Sequence, residues 1–238
     1  MKRIVSLTFA VAMLIFGGAV NAGKVEDCRN AKRLLDVDSS MVVAACRRLA
    51  DQGDAHAQFA LGAMYHFGKG VPRDYAEAMR WFQKAADQDL AAAQFGIGSL
   101  YDNGYGVVQD YVGAVQWYRK AADREYANAQ YHLGQMYKLG HGVQRNHAEA
   151  ARWFHRAAVQ GHASAQYYLG SMYEAGWGLP KDLVQAYMWF DVAARSAGTA
   201  AHQHYAIKYR DSIASKMNLG QLFKAKILAA EWRLEPSH

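Results

Sequence analysis

Apolar residues recur along this chain at helical spacing, and the whole apolar–polar pattern returns every 36 residues. Ala57, Leu61 and Tyr65 fall at i, i+4 and i+8, one face of a helix. The same triplet returns as Ala93, Ile97 and Tyr101, as Ala129, Leu133 and Tyr137, and as Ala165, Leu169 and Tyr173. Gly62 and its repeats Gly98, Gly134 and Gly170 are small where another helix must approach closely. The pair Gly68 and Gly70, repeated at 104/106, 140/142 and 176/178, stops this first helix, because glycine accepts the positive φ of a helix C-cap. A second helix starts at Asp74, with Glu77 three residues on as the other half of a capping box. Asn146 with Glu149 and Asp182 with Gln185 repeat that start, whereas Gly113 removes the reciprocal half after Asp110. The second helix is expected to bury Ala78, Trp81 and Ala85, with Trp117, Trp153 and Trp189 as the repeated tryptophans. Four helix-turn-helix units in one register predict an all-α solenoid, whose units cover 55–90, 91–126, 127–162 and 163–198.

The pattern decays at both ends, as it does in solenoids. One period before the first unit, Asp38 and Ala50 persist but Lys32 and Leu34 replace the glycines, so residues 23–54 are expected to be an N-terminal capping helical hairpin. One period after the fourth, Ser212 and Ala214 replace the glycines, and a helix from about Thr199 can run on to Met217. Asn218 and Gln221 then signal a last helix, Leu219–Trp232, with Leu222, Lys226/Ile227 and Ala230 as its expected inner stripe. Residues 199–238 are thus read as C-terminal capping helices.

The first 22 residues follow a different rule. Met1-Lys2-Arg3 is a positive start, Ile4–Val20 carries no charge, and Val20-Asn21-Ala22 puts small residues at −3 and −1. This reads as a signal peptide, residues 1–22, cut before Gly23. The apolar run is short for a membrane span and is interrupted by Gly17-Gly18, so no stable membrane insertion is expected after cleavage. The expected compartment is the periplasm, with secretion as the alternative. Cys28 and Cys46 lie at equal distances on either side of residue 37, facing positions of an antiparallel hairpin, and an oxidising compartment favours a disulfide between them over two buried thiols.

The pattern Ala-x-x-x-Leu-Gly-x-x-Tyr-x-x-Gly-x-Gly-Val-x-x-Asp-x-x-x-Ala-x-x-Trp-x-x-x-Ala-Ala resembles the Sel-one-like (Sel1-like) repeat of the tetratricopeptide superfamily. That resemblance covers residues 55–198. It implies a right-handed α/α superhelix with a concave groove. Among the functions it implies are scaffolds and adaptors, envelope regulators, motor parts, and immunity proteins against secreted toxins. Relatives described as binding β-lactams carry a cysteine pair in every repeat, a pattern absent here.

First helices tend to line the groove of such folds, and their off-stripe positions form ladders. One is aromatic: Phe59, Phe95, Tyr131 and Tyr167. Beside it lie Ala63, Ser99, Gln135 and Ser171, and next His66, Asp102, Lys138 and Glu174, which change charge at each step. Varying charge beside constant aromatics suits recognition of one polar protein surface, although aromatics at helical spacing also suit the core between repeats. The residues between the paired glycines, Lys69, Tyr105, His141 and Trp177, form a second candidate surface. The invariant Gln58, Gln94, Gln130 and Gln166 read as structural hydrogen-bonding groups.

Composition narrows the classes further. At 52% hydrophobic and 20% charged, with 3 prolines, the chain is neither disordered nor collagen-like. A formal net charge of +6 is spread along it, and Arg80, Lys84, Arg119, Lys120, Arg152 and Arg156 fall on second helices, the side away from a groove. Nucleic acid is therefore not an expected partner. Ten histidines form no ligand motif, and no Gly-x-Ser-x-Gly or Ser-x-x-Lys occurs, so no catalytic residue, metal or cofactor is expected. Carboxylates at helix ends such as Asp123 and Glu125 read as solvated. The expected function is a non-enzymatic protein-binding module of the bacterial envelope, an immunity protein against a secreted, phospholipase-like type VI toxin being the sharpest form. The alternatives are a periplasmic regulator or assembly factor, a secreted host-directed binding protein, and a weak β-lactam hydrolase.

Overall fold

The structure, a computed structural model, describes Cys28 and residues 40–232. The expected signal peptide, its cleavage point before Gly23, residues 23–27 and 29–39 of the N-terminal hairpin, and residues 233–238 lie outside the described residues. The chain divides into two compact units, residues 1–109 and 110–238. The first holds α1 (Ser40–Asp51), α2 (Ala55–Phe67), α3 (Tyr75–Ala86) and α4 (Ala91–Asn103). The second holds α5 (Tyr111–Asp123), α6 (Ala127–Leu139), α7 (His147–Val159), α8 (Ala163–Ala175), α9 (Leu183–Ser196), α10 (Ala200–Ala214) and α11 (Leu219–Glu231). No strand occurs among the described residues.

The paired glycines do two separate jobs. The first of each pair is the left-handed C-cap of its helix, and the next backbone N–H returns to the same carbonyl: Gly140 and His141 both donate to Met136. The second answers to close approach between repeats. A Cβ on Gly142 would fall on the backbone of Tyr111, and one on Gly178 on that of His147 and Ala148.

Each second helix starts as expected, with Asp74, Asp110, Asn146 and Asp182 accepting from backbone N–H groups in the first turn. A reciprocal capping box is formed at Asn218 and Gln221. Glu77 and Glu149 instead take the arginine three residues on, Arg80 and Arg152, each at 2.5 Å.

The expected stripe of Ala78, Trp81 and Ala85 is buried, and a second aromatic beside it lies deeper. The deepest aromatic of each second helix follows the tryptophan: Tyr118, Phe154 and Phe190 are fully buried and Phe82 nearly so. Phe82 lies over Gly62, Phe154 over Gly134 and Phe190 over Gly170, where an added Cβ would meet the ring at 2.6, 2.8 and 3.2 Å. The glycine thus opens the space the ring fills, and each buried ring contributes about 1.5–3 kcal/mol. Trp117 and Trp153 are only half-buried, and Lys120 and Arg156 cover their faces at 4.1 and 4.5 Å from the ring centres.

The invariant glutamines clip successive units together. Gln58, Gln130 and Gln166 are buried and donate to the carbonyls of Ala50, Ala122 and Ala158, each eight residues earlier. Gln88 donates to the Gln58 side chain and Gln160 to that of Gln130, both at 2.8 Å. Glu125 is not merely solvated: it accepts from Gln130 at 2.7 Å and from Arg156 at 2.6 Å. Burial acts to raise its pKa, but these two partners outweigh it and hold the carboxyl below its ordinary value.

In the first unit a disulfide joins Cys28 to Cys46, both fully buried beside Val42, Ala57, Leu61 and Trp81. In the second unit α10 and α11 both pack on α9. The inner side of α11 is Ala225 and Ala229, with Leu222 and Leu228 half-buried, whereas Lys226, Ile227 and Ala230 are exposed. The expected stripe is therefore wrong in register. Two alanines let α11 approach α9 closely, Arg195 donates to the Ala229 carbonyl, and Trp232 meets Trp189 edge-on with centres 4.6 Å apart.

Candidate protein-binding site

The aromatic ladder is neither pure groove nor pure core. Phe59, Tyr131 and Tyr167 are half-buried and each leans on the deep aromatic of its own unit. Phe59 lies 5.6 Å from Phe82, Tyr131 5.9 Å from Phe154, and Tyr167 5.4 Å from Phe190. One side of each ring packs inward. In the second unit the other side of two of them borders a cleft of about 320 Å³.

Four elements build that cleft. Helix α6 supplies Tyr131; α8 supplies Ser164, Tyr167 and Tyr168; the end of α9 supplies the small residues Ala193 and Ala197; and α10 supplies His202 and Tyr205. Small side chains at the end of α9 leave the space, and four tyrosines wall it. Tyr168 stands where the earlier units have Ala60, Gly96 and His132. It stacks on Phe154 at 5.3 Å and comes within 6.0 Å of Tyr131. Tyr131 also stacks on His162 at 4.5 Å.

No carboxylate, lysine or arginine lines the cleft. Burial, then the neighbouring Tyr168, pushes the Tyr131 hydroxyl above its ordinary pKa. Burial, then a hydrogen bond with Tyr209, does the same to Tyr167. Both therefore stay neutral and serve as hydrogen-bonding tips on apolar rings, the chemistry that favours tyrosine in interfaces. Behind them, burial lowers the pKa of His132 to about 4 and also lowers that of His162.

The remaining ladder positions are scattered. Gln135 donates to the Tyr131 hydroxyl at 3.1 Å and so joins the rim. The Lys138 ammonium sits 4.3 Å from the centre of the Tyr168 ring. Glu174 is bound instead by Lys216 at 2.7 Å. In the first unit, Phe95 and Asp102 are half-buried on α4. His66 is enclosed by Phe67, Tyr75 and Tyr105, and burial, then Arg73, lowers its pKa.

The residues between the paired glycines are less free than their position suggests. Tyr105 stacks on Tyr75 at 4.9 Å, His141 on Tyr111 at 4.5 Å and Trp177 on His147 at 5.8 Å. Each tip is thus bound to the first residue of a second helix 30 residues earlier, while Lys69 is exposed. The recurrence of an aromatic ring at 75, 111 and 147 carried this signal. Ser164, Tyr168, His202 and Tyr205 are the cleft residues that sequence reasoning missed. Only the spacing of His202 and Tyr205, one turn apart, marks them in the sequence. Among the described residues no cluster of His, Cys, Asp and Glu could hold a metal ion, and no helix is long and apolar enough to cross a membrane.

The Sel1 repeat model matches residues 55–90, 91–126, 127–162 and 163–197. A crystal structure of a Sel1 repeat protein from Oxalobacter formigenes is 30% identical, over 89% of this chain and 87% of that one, with a TM-score of 0.71. A protective antigen present in uropathogenic Escherichia coli strains, displaying an SLR fold, is 28% identical over 81% of this chain and 48% of its own, with a TM-score of 0.51. Immunity protein Pa5087 from Pseudomonas aeruginosa shares the fold at 18% identity, over 85% and 87% of the two chains, with a TM-score of 0.53. No curated protein matches the chain. With helix pairs capped by paired glycines, clipped by glutamines and matched in all four copies, the chain belongs to the Sel1 repeat family and is an all-α helical repeat solenoid.

Proposed function

We propose that this protein is a non-enzymatic binding module whose tyrosine-walled cleft receives part of a partner protein. One observation carries the reading. The cleft combines four tyrosines with small alanines, and no carboxylate, lysine or arginine stands along its wall. Such a surface gains from apolar burial and from hydrogen bonds without desolvating an ion. Gln135 on the Tyr131 hydroxyl and Lys138 over the Tyr168 ring put polar groups next to two of the wall rings. The buried Cys28–Cys46 disulfide supports an exported protein working in an oxidising compartment, the periplasm.

The sharper form is immunity: the cleft engages a secreted toxin and blocks it. Its support is the shared fold with immunity protein Pa5087, together with a cleft suited to a protein surface. The test uses Ser164→Arg, which puts a long cation into the cleft from a half-buried position, and Tyr205→Ala, which removes an exposed wall. Tyr131→Ala and Tyr167→Ala are poorer probes because both rings also support the core. The protein, with and without these substitutions, is cross-linked to envelope and secreted fractions, and captured proteins are identified by mass spectrometry. Binding through the cleft predicts one partner captured by the unsubstituted chain and lost with S164R at unchanged helicity. Immunity further predicts that this partner is a secreted enzyme inhibited by the unsubstituted chain and not by S164R. Equal capture by both would refute the cleft reading. A captured sensor or machine subunit would replace immunity by a regulatory or assembly role.

A further inference from the structure

The last helix carries a second surface that the cleft does not explain. Ala225 and Ala229 turn α11 inward, and the opposite side presents Leu219, Phe223 and Ile227 at i, i+4 and i+8. These side chains are 87%, 68% and 40% exposed, a ridge about 12 Å long. At about 100° per residue, Lys224 lies on one flank of the ridge and Lys226 on the other. Both lysines are exposed, and neither has a partner among the described residues. Glu231 follows at the far end of the helix, the one acid beside two free cations.

We propose that α11 docks on an anionic lipid surface, with Leu219, Phe223 and Ile227 entering the headgroup boundary and Lys224 and Lys226 meeting lipid phosphates from either side. The arrangement is that of a helix lying in the plane of an interface, where lysine stems run along apolar surface and the ammonium groups reach the headgroups. Charge decides between the occupants. A second copy of α11 brings one acid, Glu231, against two lysines, whereas an anionic surface neutralises both. Size points the same way: a stable protein interface needs about 800 Å² on each side, more than one projecting ridge offers, while adsorption to a membrane has no such threshold. The proposal is independent of the cleft, which lies among other residues.

The test is co-sedimentation of the unsubstituted protein with vesicles of equal parts phosphatidylethanolamine and phosphatidylglycerol, and separately with phosphatidylcholine vesicles, at low and high salt. Binding is expected to the anionic vesicles alone and to weaken with salt. K224E/K226E should lower the partition coefficient about tenfold or more, since each lysine near an anionic surface contributes roughly a factor of five. F223S, at an exposed position that leaves the core intact, should lower it by a similar factor. Tyr205→Ala, which alters the cleft without changing charge, should leave it unchanged, which separates this proposal from the cleft reading. Absence of vesicle binding, equal binding to both vesicle types, or binding insensitive to F223S would overturn it. So would light scattering that shows a dimer abolished by F223S.

Discussion

Trp153 and Trp189 hold the same place in successive repeats, yet the protein finishes them differently. Trp153 is half-buried, and Arg156, one turn on, lies over its ring at 4.5 Å. Trp189 is buried, and one turn on stands Val192, 3% exposed, in the core cluster that includes Ala229. Trp232 meets its edge. Lys84 and Lys120 treat Trp81 and Trp117 as Arg156 treats Trp153. An internal repeat thus covers its outer tryptophan with its own cation, and the last repeat gives that task to another helix. The exchange of cation for valine marks where the array stops, because a charge there would be trapped under α11.

The substitution that should break this contrast most severely is Val192→Arg. It restores the internal pattern but buries an unpaired guanidinium under α11, and unfolding free energy should fall by about 4 kcal/mol or more. Chemical denaturation measures the loss, and hydrogen exchange should show α11 opening first. Retention of stability would mean that α11 is not held over α9. Next, Trp189→Ala should cost about 3–4 kcal/mol and Trp153→Ala only about 1–2, since one ring is enclosed and the other half-solvated. Equal losses in parallel denaturant titrations would contradict the contrast in burial.

Acid offers a third comparison between the same two repeats, because the third has His132 where the fourth has Tyr168. Burial holds the His132 pKa at about 4 against an ordinary 6.5. The unfolded chain therefore binds the extra proton first, so stability is full above pH 6.5 and declines as pH falls towards 4. The loss is at most about 3 kcal/mol. Stability measured across that window should lose much of its slope in His132→Tyr. Some slope should remain, because burial also lowers the pKa of His162. An unchanged slope in H132Y would assign the acid sensitivity elsewhere. The smallest expected effect is that of Arg156→Val, about 1 kcal/mol, for a partly exposed cation that gives up one ring and Glu125. A thermal melt should shift by only a few degrees.

Much of the fold was legible because it is local and repeated. Asp74, Asn146 and Asp182 cap their helices through groups two or three residues away, and Gly68 and Gly140 end theirs within one turn. Asn218 and Gln221 close their box for the same reason. Which aromatic faces the glycine was not legible, because Trp81 and Phe82 are both aromatic and both buried, and spacing alone does not distinguish them. On α11 the large residues Leu219, Phe223 and Ile227 look like an inner stripe, but the close approach to α9 selects Ala225 and Ala229 instead. The cleft was half legible: Tyr131 and Tyr167 stood out as a ladder, while Ser164, Tyr168, His202 and Tyr205 did not.

The sequence by itself determined the repeat, its period and its helix limits, since caps and side-chain periodicity act over a few residues and recur four times. Tertiary structure alone decided which aromatic fills the glycine gap, which loop tips are bound to neighbouring rings, and where four tyrosines leave a cleft. Each of those depends on the distance and angle between helices far apart in the chain, which no local pattern encodes.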